Sequence, residues 1–248
     1  MFREYFILLL LGHILADFYT QTAEAAEKKK KKIKWVFFHG MLYFLTIVVV
    51  SVPVISIDIL ILDTVASILH LLIDIVKFWF LKSKKKENST VFIVDQISHL
   101  TCLFVLSYMW TKNNIPIKEV SVVSEFFCTA DISERSVCNW ILGLLIVHKP
   151  ANILIQNITG PYKPQLERGE INAKDNNVGR VIGTVERVVM FILIYMDQYS
   201  AIGLVLTAKS IARYERISKD EKFAEYYLLG TLISSGIVIA CATMLFRV

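Results

Sequence analysis

Proline and glycine are scarce in this chain, at 5 and 10 of 248 residues. That excludes a collagen-like repeat and a Pro/Gly-rich disordered chain. Cysteine is scarce as well. The four residues Cys102, Cys128, Cys138 and Cys241 include no Cys-x-x-Cys, which leaves a disulfide scaffold, a zinc ribbon and a thioredoxin-like motif without support. No P-loop, Gly-x-Gly-x-x-Gly, Gly-x-Ser-x-Gly or His-Glu-x-x-His occurs, so nothing points to nucleotide hydrolysis or to serine or zincin proteolysis. Charge is the decisive shortage. Charged residues make up 20% of the chain, but they are clumped and leave long stretches almost uncharged. An apolar share of 55% and a mean hydropathy of +0.54 are only modestly above a soluble chain. The uncharged runs argue against a soluble enzyme and predict an all-α, polytopic transmembrane helical bundle.

Runs close to the length needed to cross a bilayer, about 20 residues, fall at 2–19, 35–52, 64–81, 91–111, 137–158, 181–196 and 226–246. The count is about seven spans, with six or eight as alternatives. The first run imitates a secretory signal, with Arg3 ahead of an apolar stretch. His13 and Asp17 do not suit such a segment, so it reads as a retained helix. Segment 201–214, which carries Lys209 and Arg213, is too short to cross alone at about 1.5 Å per residue. It reads as a re-entrant, tilted or interfacial half-helix. Three regions follow. Residues 1–111 form a four-helix half. Residues 112–180 form an outer connector, a fifth span and a polar loop with Gly160, Pro161, Pro164, Gly169, Asn176, Asn177 and Gly179. Residues 181–248 form a second membrane half. Asp95-Gln96-Ile97-Ser98 is echoed by Asp197-Gln198-Tyr199-Ser200, a match within reach of chance.

The net charge is +5 and the pI is near 8.9, yet the basic residues form no stripe interleaved with aromatics, so nucleic acid is not an expected partner. Lys28, Lys29, Lys30, Lys31, Lys32 and Lys34 form one run, and Lys82, Lys84, Lys85 and Lys86 another, each beside an apolar segment. Such runs are expected to lie on the cytoplasmic side and to touch anionic lipid headgroups. The alternate connections, 53–63 and 112–136, are acidic or nearly neutral, which assigns them to the outer side. Cys102 and Cys241 lie in apolar runs and read as packing residues. Cys128 and Cys138 could pair if both lie outside.

Ionisable groups inside a membrane are costly and default to function. His13 and Asp17, His70 and Asp74, and Asp95 and His99 are each four residues apart. That spacing puts an imidazole and a carboxylate on one helix face. His39 adds a fourth imidazole from the second span. At about 1.5 Å per residue the groups fall between about 3 and 16 Å from the cytoplasmic boundary, in one slab, because neighbouring helices run in opposite directions. Four imidazoles and three carboxylates suit zinc, manganese or iron, as one ion or two. The candidate metal ligands are His13, Asp17, His39, His70, Asp74, Asp95 and His99. Asp17, Asp74 and Asp95 are the candidates for catalysis. Any one pair could instead be a structural hydrogen bond that satisfies a buried ring.

Lys77 shares a face with His70 and Asp74. It could pair with a carboxylate or a substrate oxygen, or snorkel to the surface. Gln21 and Gln96 could orient ligands or be simple interfacial amides. In the second half, Glu186, Arg187, Lys209, Arg213 and Glu225 are either mutual ion pairs or the parts of an anion site. His148-Lys149-Pro150 interrupts the fifth span, where Pro150 implies a kink and His148 reads as a structural histidine.

These residues form motifs: His13-x-x-x-Asp17-Phe18, Gln21, His39, His70-x-x-Ile73-Asp74-x-x-Lys77 and Asp95-Gln96-x-x-His99. Toward the C-terminus stand Gly179-Arg180-x-Ile182-Gly183-x-x-Glu186-Arg187, Gln198-Tyr199-x-Ala201-Ile202-Gly203, Ala208-Lys209-Ser210-x-Ala212-Arg213 and Phe223-Ala224-Glu225-Tyr226-Tyr227-Leu228-x-Gly230-Thr231. Together they resemble an uncharacterised bacterial integral-membrane family known only as a domain of unknown function, over most of the chain except 112–178. The resemblance implies a multi-pass protein of the bacterial cytoplasmic membrane and no assigned activity. A more distant similarity to membrane-bound metal-dependent hydrolases rests on helix-borne His and Asp alone.

Three functions compete on the sequence. One is a metal-dependent hydrolase of a lipid-linked or phosphorylated substrate. Another is a divalent-cation or proton-coupled transporter. The third is a non-catalytic scaffold or sensor whose polar cluster joins helices.

Overall fold

A computed structural model describes residues 1–84, 89–164 and 173–247, without the side chains of 84 and 173–178. Lys85, Lys86 and Gly169, and the side chains of Lys84, Asn176 and Asn177, therefore lie outside the described residues. The described residues are helical and contain no strand. They divide into two compact units, Met1–Leu142 and Gly143–Val248.

The first unit begins with α1 (Phe2–Ile14), which runs on into a π-helical stretch, Leu15–Thr20. After a bend of 92° comes α2 (Ala23–Lys31). Then follow α3 (Ile33–Ser51), α4 (Ile57–Lys84), α5 (Ser89–Lys112) and α6 (Ser121–Ala130), and α7 (Glu134–Thr159) leads into the second unit. α1 packs on α3 and α5, and α4 packs on the same two, so four helices close a ring.

The 3.6-residue period explains what the ring encloses. On α1 the inward positions are Tyr5, Leu9, His13 and Ala16. On α3 they are Val36, His39, Tyr43 and Ile47. On α5 they are Asp95, His99, Leu103 and Leu106. One end of each stripe is apolar, and there Tyr5, Leu9, Tyr43, Ile47, Ile59, Leu62, Leu103 and Leu106 form a core. The other end is ionisable. The outward faces are apolar: Phe37, Met41, Leu45 and Val49 on α3, Leu72 and Val76 on α4, and Ile97, Phe104 and Val105 on α5 are all exposed. Polar groups inside and large hydrophobics outside reverse the pattern of a soluble helix and suit a lipid solvent.

The second unit holds the rest of α7, then α8 (Ala173–Tyr195), α9 (Tyr199–Ile211), α10 (Tyr214–Lys219) and α11 (Glu221–Phe246). α8 packs on α11 and α9, and α10 packs on α11. Pro150 lies inside α7.

Among the described residues, five helices are long and apolar enough to cross a membrane: Ile33–Val54, Ile57–Ser83, Ser89–Lys112, Glu134–Tyr162 and Glu221–Phe246. Counting the bent pair Phe2–Thr20 and Ala23–Lys31 as one makes six. The chain is thus a multi-pass membrane protein, and six spans lie within the range of six to eight that the sequence suggested. The expected span 181–196 lies in α8 and is not among them, because Arg180, Glu186 and Arg187 crowd its apolar stretch with charge. α9 is an apolar helix of 13 residues, short of a crossing, as its sequence implied. α4 starts seven residues earlier than its expected span. Asp58 lies in its first turn, where a carboxylate favours the helix dipole, and Asp63 lies inside the helix instead of in a connection. The echoed tetrapeptides are not equivalent. Asp95 is helical, whereas Asp197 has a φ of 60° between α8 and α9.

Candidate metal centre

Five elements bring the ionisable residues together, with His13 supplied by α1. The π turn carries Asp17 into the ring at the end of α1; such turns add a residue to a helix and re-aim its side chains. α3 supplies His39, α4 supplies His70 and Asp74, and α5 supplies Asp95 and His99. All of them except Asp17 are buried, and Asp17 is nearly so, with its side chain 9% exposed.

Asp17 lies at the centre. Its Oδ1 stands 3.1 Å from His39 Nε2 and 3.0 Å from His70 Nε2, and its Oδ2 stands 4.0 Å from His13 Nε2. Asp74 lies beside them, with its Oδ2 3.7 Å from His39 Nε2 and 3.6 Å from His70 Nδ1. His99 Nε2 joins the two sides, 4.0 Å from Asp74 Oδ1 and 3.6 Å from Asp95 Oδ1. The rings are in mutual contact. His70 stacks on His99 at 4.2 Å between centroids, and His13 lies 5.2 Å from His99.

Two lysines bound the cluster. Lys29 Nζ donates to both oxygens of Asp74, each at 3.0 Å. Lys77 Nζ donates to Asp95 Oδ2 at 2.8 Å, so this lysine pairs with a carboxylate and does not simply snorkel. Gln96 donates to the same oxygen at 3.4 Å. The Nε2 of Gln21 is buried and has no hydrogen-bond partner.

The donor set fits a divalent metal. Both nitrogens of His13, the Nδ1 of His39 and of His70, the Nε2 of His99 and the Oδ1 of Asp95 are buried without a hydrogen-bond partner, and such orphans call for an explanation. Three triads gather their ligand atoms within 4.8 Å of one another: His13, Asp17 and His70; His39, His70 and Asp74; and Asp74, Asp95 and His99. Ligands at about 2.0–2.2 Å from one ion stand at most about 4.4 Å apart.

Sequence reasoning missed three residues here. Lys29 read as one of six lysines in a membrane-flanking, lipid-contacting run. Nothing in that run marks it, because only the bend before α2 brings it to Asp74. Tyr43 stacks on His70 at 3.8 Å between centroids, and its hydroxyl is buried without a partner. Its place four residues after His39 was a legible signal. Asp63 is seven residues before His70 and shares its face. Its Oδ1 is buried without a partner, and its assignment to a connection concealed it.

The second-half residues lie in their own unit. Lys209 pairs with Glu186 at 2.6 Å. Arg187 is buried among uncharged acceptors. Arg213 is half-buried and Glu225 is exposed, so the five residues do not form one ion-pair network. His148 is exposed. All four cysteines are free, Cys128 and Cys138 included.

Residues 5–127 match the model of a family described as Protein of unknown function (DUF3307). The match takes in the whole cluster and ends before the C-terminal motifs. No curated protein and no solved structure matches the chain.

Proposed function

We propose, for a chain whose residues 5–127 match a family of unknown function, that the four-helix ring is a membrane-embedded, metal-dependent hydrolase of a lipid-linked or phosphorylated substrate. The observation that carries this reading is the convergence of seven ionisable side chains from separate helices, with imidazole nitrogens left unbonded. Gluing helices together is a weak alternative, because intramembrane hydrogen bonds average only about 0.6 kcal/mol.

One or two ions of zinc, manganese or iron would be held by His13, Asp17, His39, His70, Asp74, Asp95 and His99. An ion in such a site lowers the pKa of a bound water and polarises a substrate oxygen. The chain's own residues divide the remaining work. Asp17 orients His39 and His70 through its Oδ1. Asp74 is engaged by Lys29 on both oxygens. Lys77 holds Asp95 through Oδ2, and whichever carboxylate is left uncoordinated would serve as the general base. Lys29 and Lys77 set positive charge beside the cluster, where an anionic substrate oxygen would be attracted. The lysine excess in 20–34 and 82–86 supports a cytoplasmic position for those segments and for the site's nearer end, and the resemblance supports the bacterial cytoplasmic membrane.

The test is the metal content of the detergent-purified full chain. About one or two ions per chain are expected, falling by more than half in His70→Ala and in Asp17→Asn. Sub-stoichiometric metal, unchanged by either substitution, would remove the proposal.

One observation favours transport as a second reading. Asp63, Ser67, His70, Asp74 and Lys77 form a single polar stripe along α4, which continues beyond the cluster toward the other end of the helix. Cation or solute flux into proteoliposomes, in place of substrate turnover, is its mark.

A further inference from the structure

The second unit contains a cavity of about 1160 Å³ between α7, α8, α10 and α11. Six cationic side chains line it: Lys163, Arg180, Arg187, Lys209, Arg213 and Arg216. Its carboxylates are Glu186 and Asp220, and both are already engaged. Glu186 holds Lys209 at 2.6 Å, and Asp220 caps α11 by accepting from the Phe223 amide at 3.0 Å. The lining therefore carries a net positive charge.

Arg187 makes the case sharper. It is 2% exposed, and a buried charge is costly without a counter-charge. Its Nε donates to the Val147 carbonyl at 2.6 Å and its Nη2 to Asn152 Oδ1 at 2.8 Å and Thr184 Oγ1 at 3.2 Å. Every one of these acceptors is uncharged. Pro150, which cannot donate to the Ile146 carbonyl, loosens α7 at this point, and the adjacent Val147 carbonyl serves the guanidinium. The guanidinium is thus fixed in place by neutral groups, with no carboxylate among these acceptors.

A second feature is independent of charge. Tyr227 and Thr231 stand four apart on α11, on the face that lines the cavity. Both hydroxyl oxygens are buried and have no hydrogen-bond partner. Arg216 lies over Phe223, 4.1 Å from its ring centroid, so part of the wall is both aromatic and cationic.

We propose that this cavity binds the phosphate group of a lipid headgroup or of a soluble phosphorylated molecule, with Arg187, Arg213, Tyr227 and Thr231 as its contacts. Guanidinium forks match the several acceptor oxygens of a phosphate better than a point charge does. The two orphan hydroxyls supply donors that a chloride-sized ion would leave partly unused. The site is separate from the histidine cluster and does not rest on its chemistry.

The experiment uses the full chain in detergent and titrates phosphatidylglycerol, phosphatidylcholine and inorganic phosphate, with bound ligand counted by native mass spectrometry and by thermal shift. Saturable binding of phosphatidylglycerol over phosphatidylcholine identifies a headgroup as the source. Binding of inorganic phosphate without that preference identifies a soluble phosphorylated ligand. Either form should weaken about tenfold in Arg213→Gln and in Thr231→Val, the effect of losing one hydrogen bond to a charged group. Both substitutions lie on the cavity wall, so their ligand-free melting points should stay near the wild type. Arg187→Lys, which keeps the charge and loses the fork, should weaken binding as well. No preference for phosphatidylglycerol together with no phosphate binding would overturn the proposal. So would binding that survives Arg213→Gln and Thr231→Val undiminished, since the lysine runs of the first unit would then be the binding site.

Discussion

His13 and His39 each have a glycine as a chain neighbour, and the glycines set how near the helices come. A Cβ on Gly12 would stand 2.6 Å from Ile47 Cγ1, and one on Gly40 would stand 2.9 Å from Leu71 Cδ1. The first contact is with a carbon one bond from the Ile47 branch point, held near the backbone, and the second is with the tip of a flexible side chain. Gly12→Ala should therefore be the more damaging, by about 1–2 kcal/mol once the gain in helix propensity is subtracted. Ile47→Ala in the same chain should restore much of the loss by making room. Thermal unfolding in detergent measures both. A Gly12→Ala variant as stable as the wild type would mean that α1 and α3 pack less tightly than described. The i, i+4 pairs were legible at this scale, because helix geometry alone puts the two side chains on one face. The partners across helices were not. Asp17 bonds to His39 and His70, residues 22 and 53 positions away, and chain spacing carries no information about such contacts.

At the scale of elements, α2 changes the meaning of the lysine run. Thr22 caps it by accepting from the Ala25 amide at 3.2 Å, and the bend lays the helix across the end of the ring. Lys28 and Lys30 then pair with Glu24 and Glu27 on the same helix, and Lys29 reaches Asp74. A metal ion and the Lys29 ammonium compete for the same carboxylate. Lys29→Gln should lower the melting point of the metal-free chain, because it leaves a buried carboxylate short of its counter-charge. Added zinc or manganese should raise the variant's melting point by more than the wild type's, since ligand binding stabilises by mass action. An equal shift in the two chains would mean that Asp74 is not a ligand. The lysine run was visible in the sequence as a membrane-flanking cluster. Its fold-back over the cluster depended on the π turn and the 92° bend, which no propensity in residues 15–22 announces.

For the whole molecule, the distribution of charge predicts sidedness. The connection that carries α6 has an exposed cysteine, Cys128, and is nearly neutral, while the opposite connections are lysine-rich. Cys128 should react with a membrane-impermeant maleimide in right-side-out vesicles. A cysteine introduced as Lys28→Cys in a Cys128→Ser chain should react only in inverted vesicles. Labelling of both from the same side would reverse or break the topology proposed here. The absence of α8 from the spans has its cause at this scale as well. Hydropathy counted α8 as a crossing because 181–196 is mostly apolar. In the folded unit its charged residues find partners, Lys209 for Glu186 and the α7 carbonyl for Arg187, so α8 need not present a purely apolar surface.

The sequence by itself determined the class: uncharged runs of membrane-spanning length force helices, since backbone groups in lipid must be satisfied within their own segment. It also determined which residues could do chemistry, because ionisable groups in such runs are too costly to be incidental. Only the tertiary structure decided which of them meet. Convergence depends on the rotation of each helix about its axis and on the bend after Thr20. Both are fixed by packing between residues far apart in the chain, as Gly12 against Ile47 and Lys29 against Asp74 illustrate.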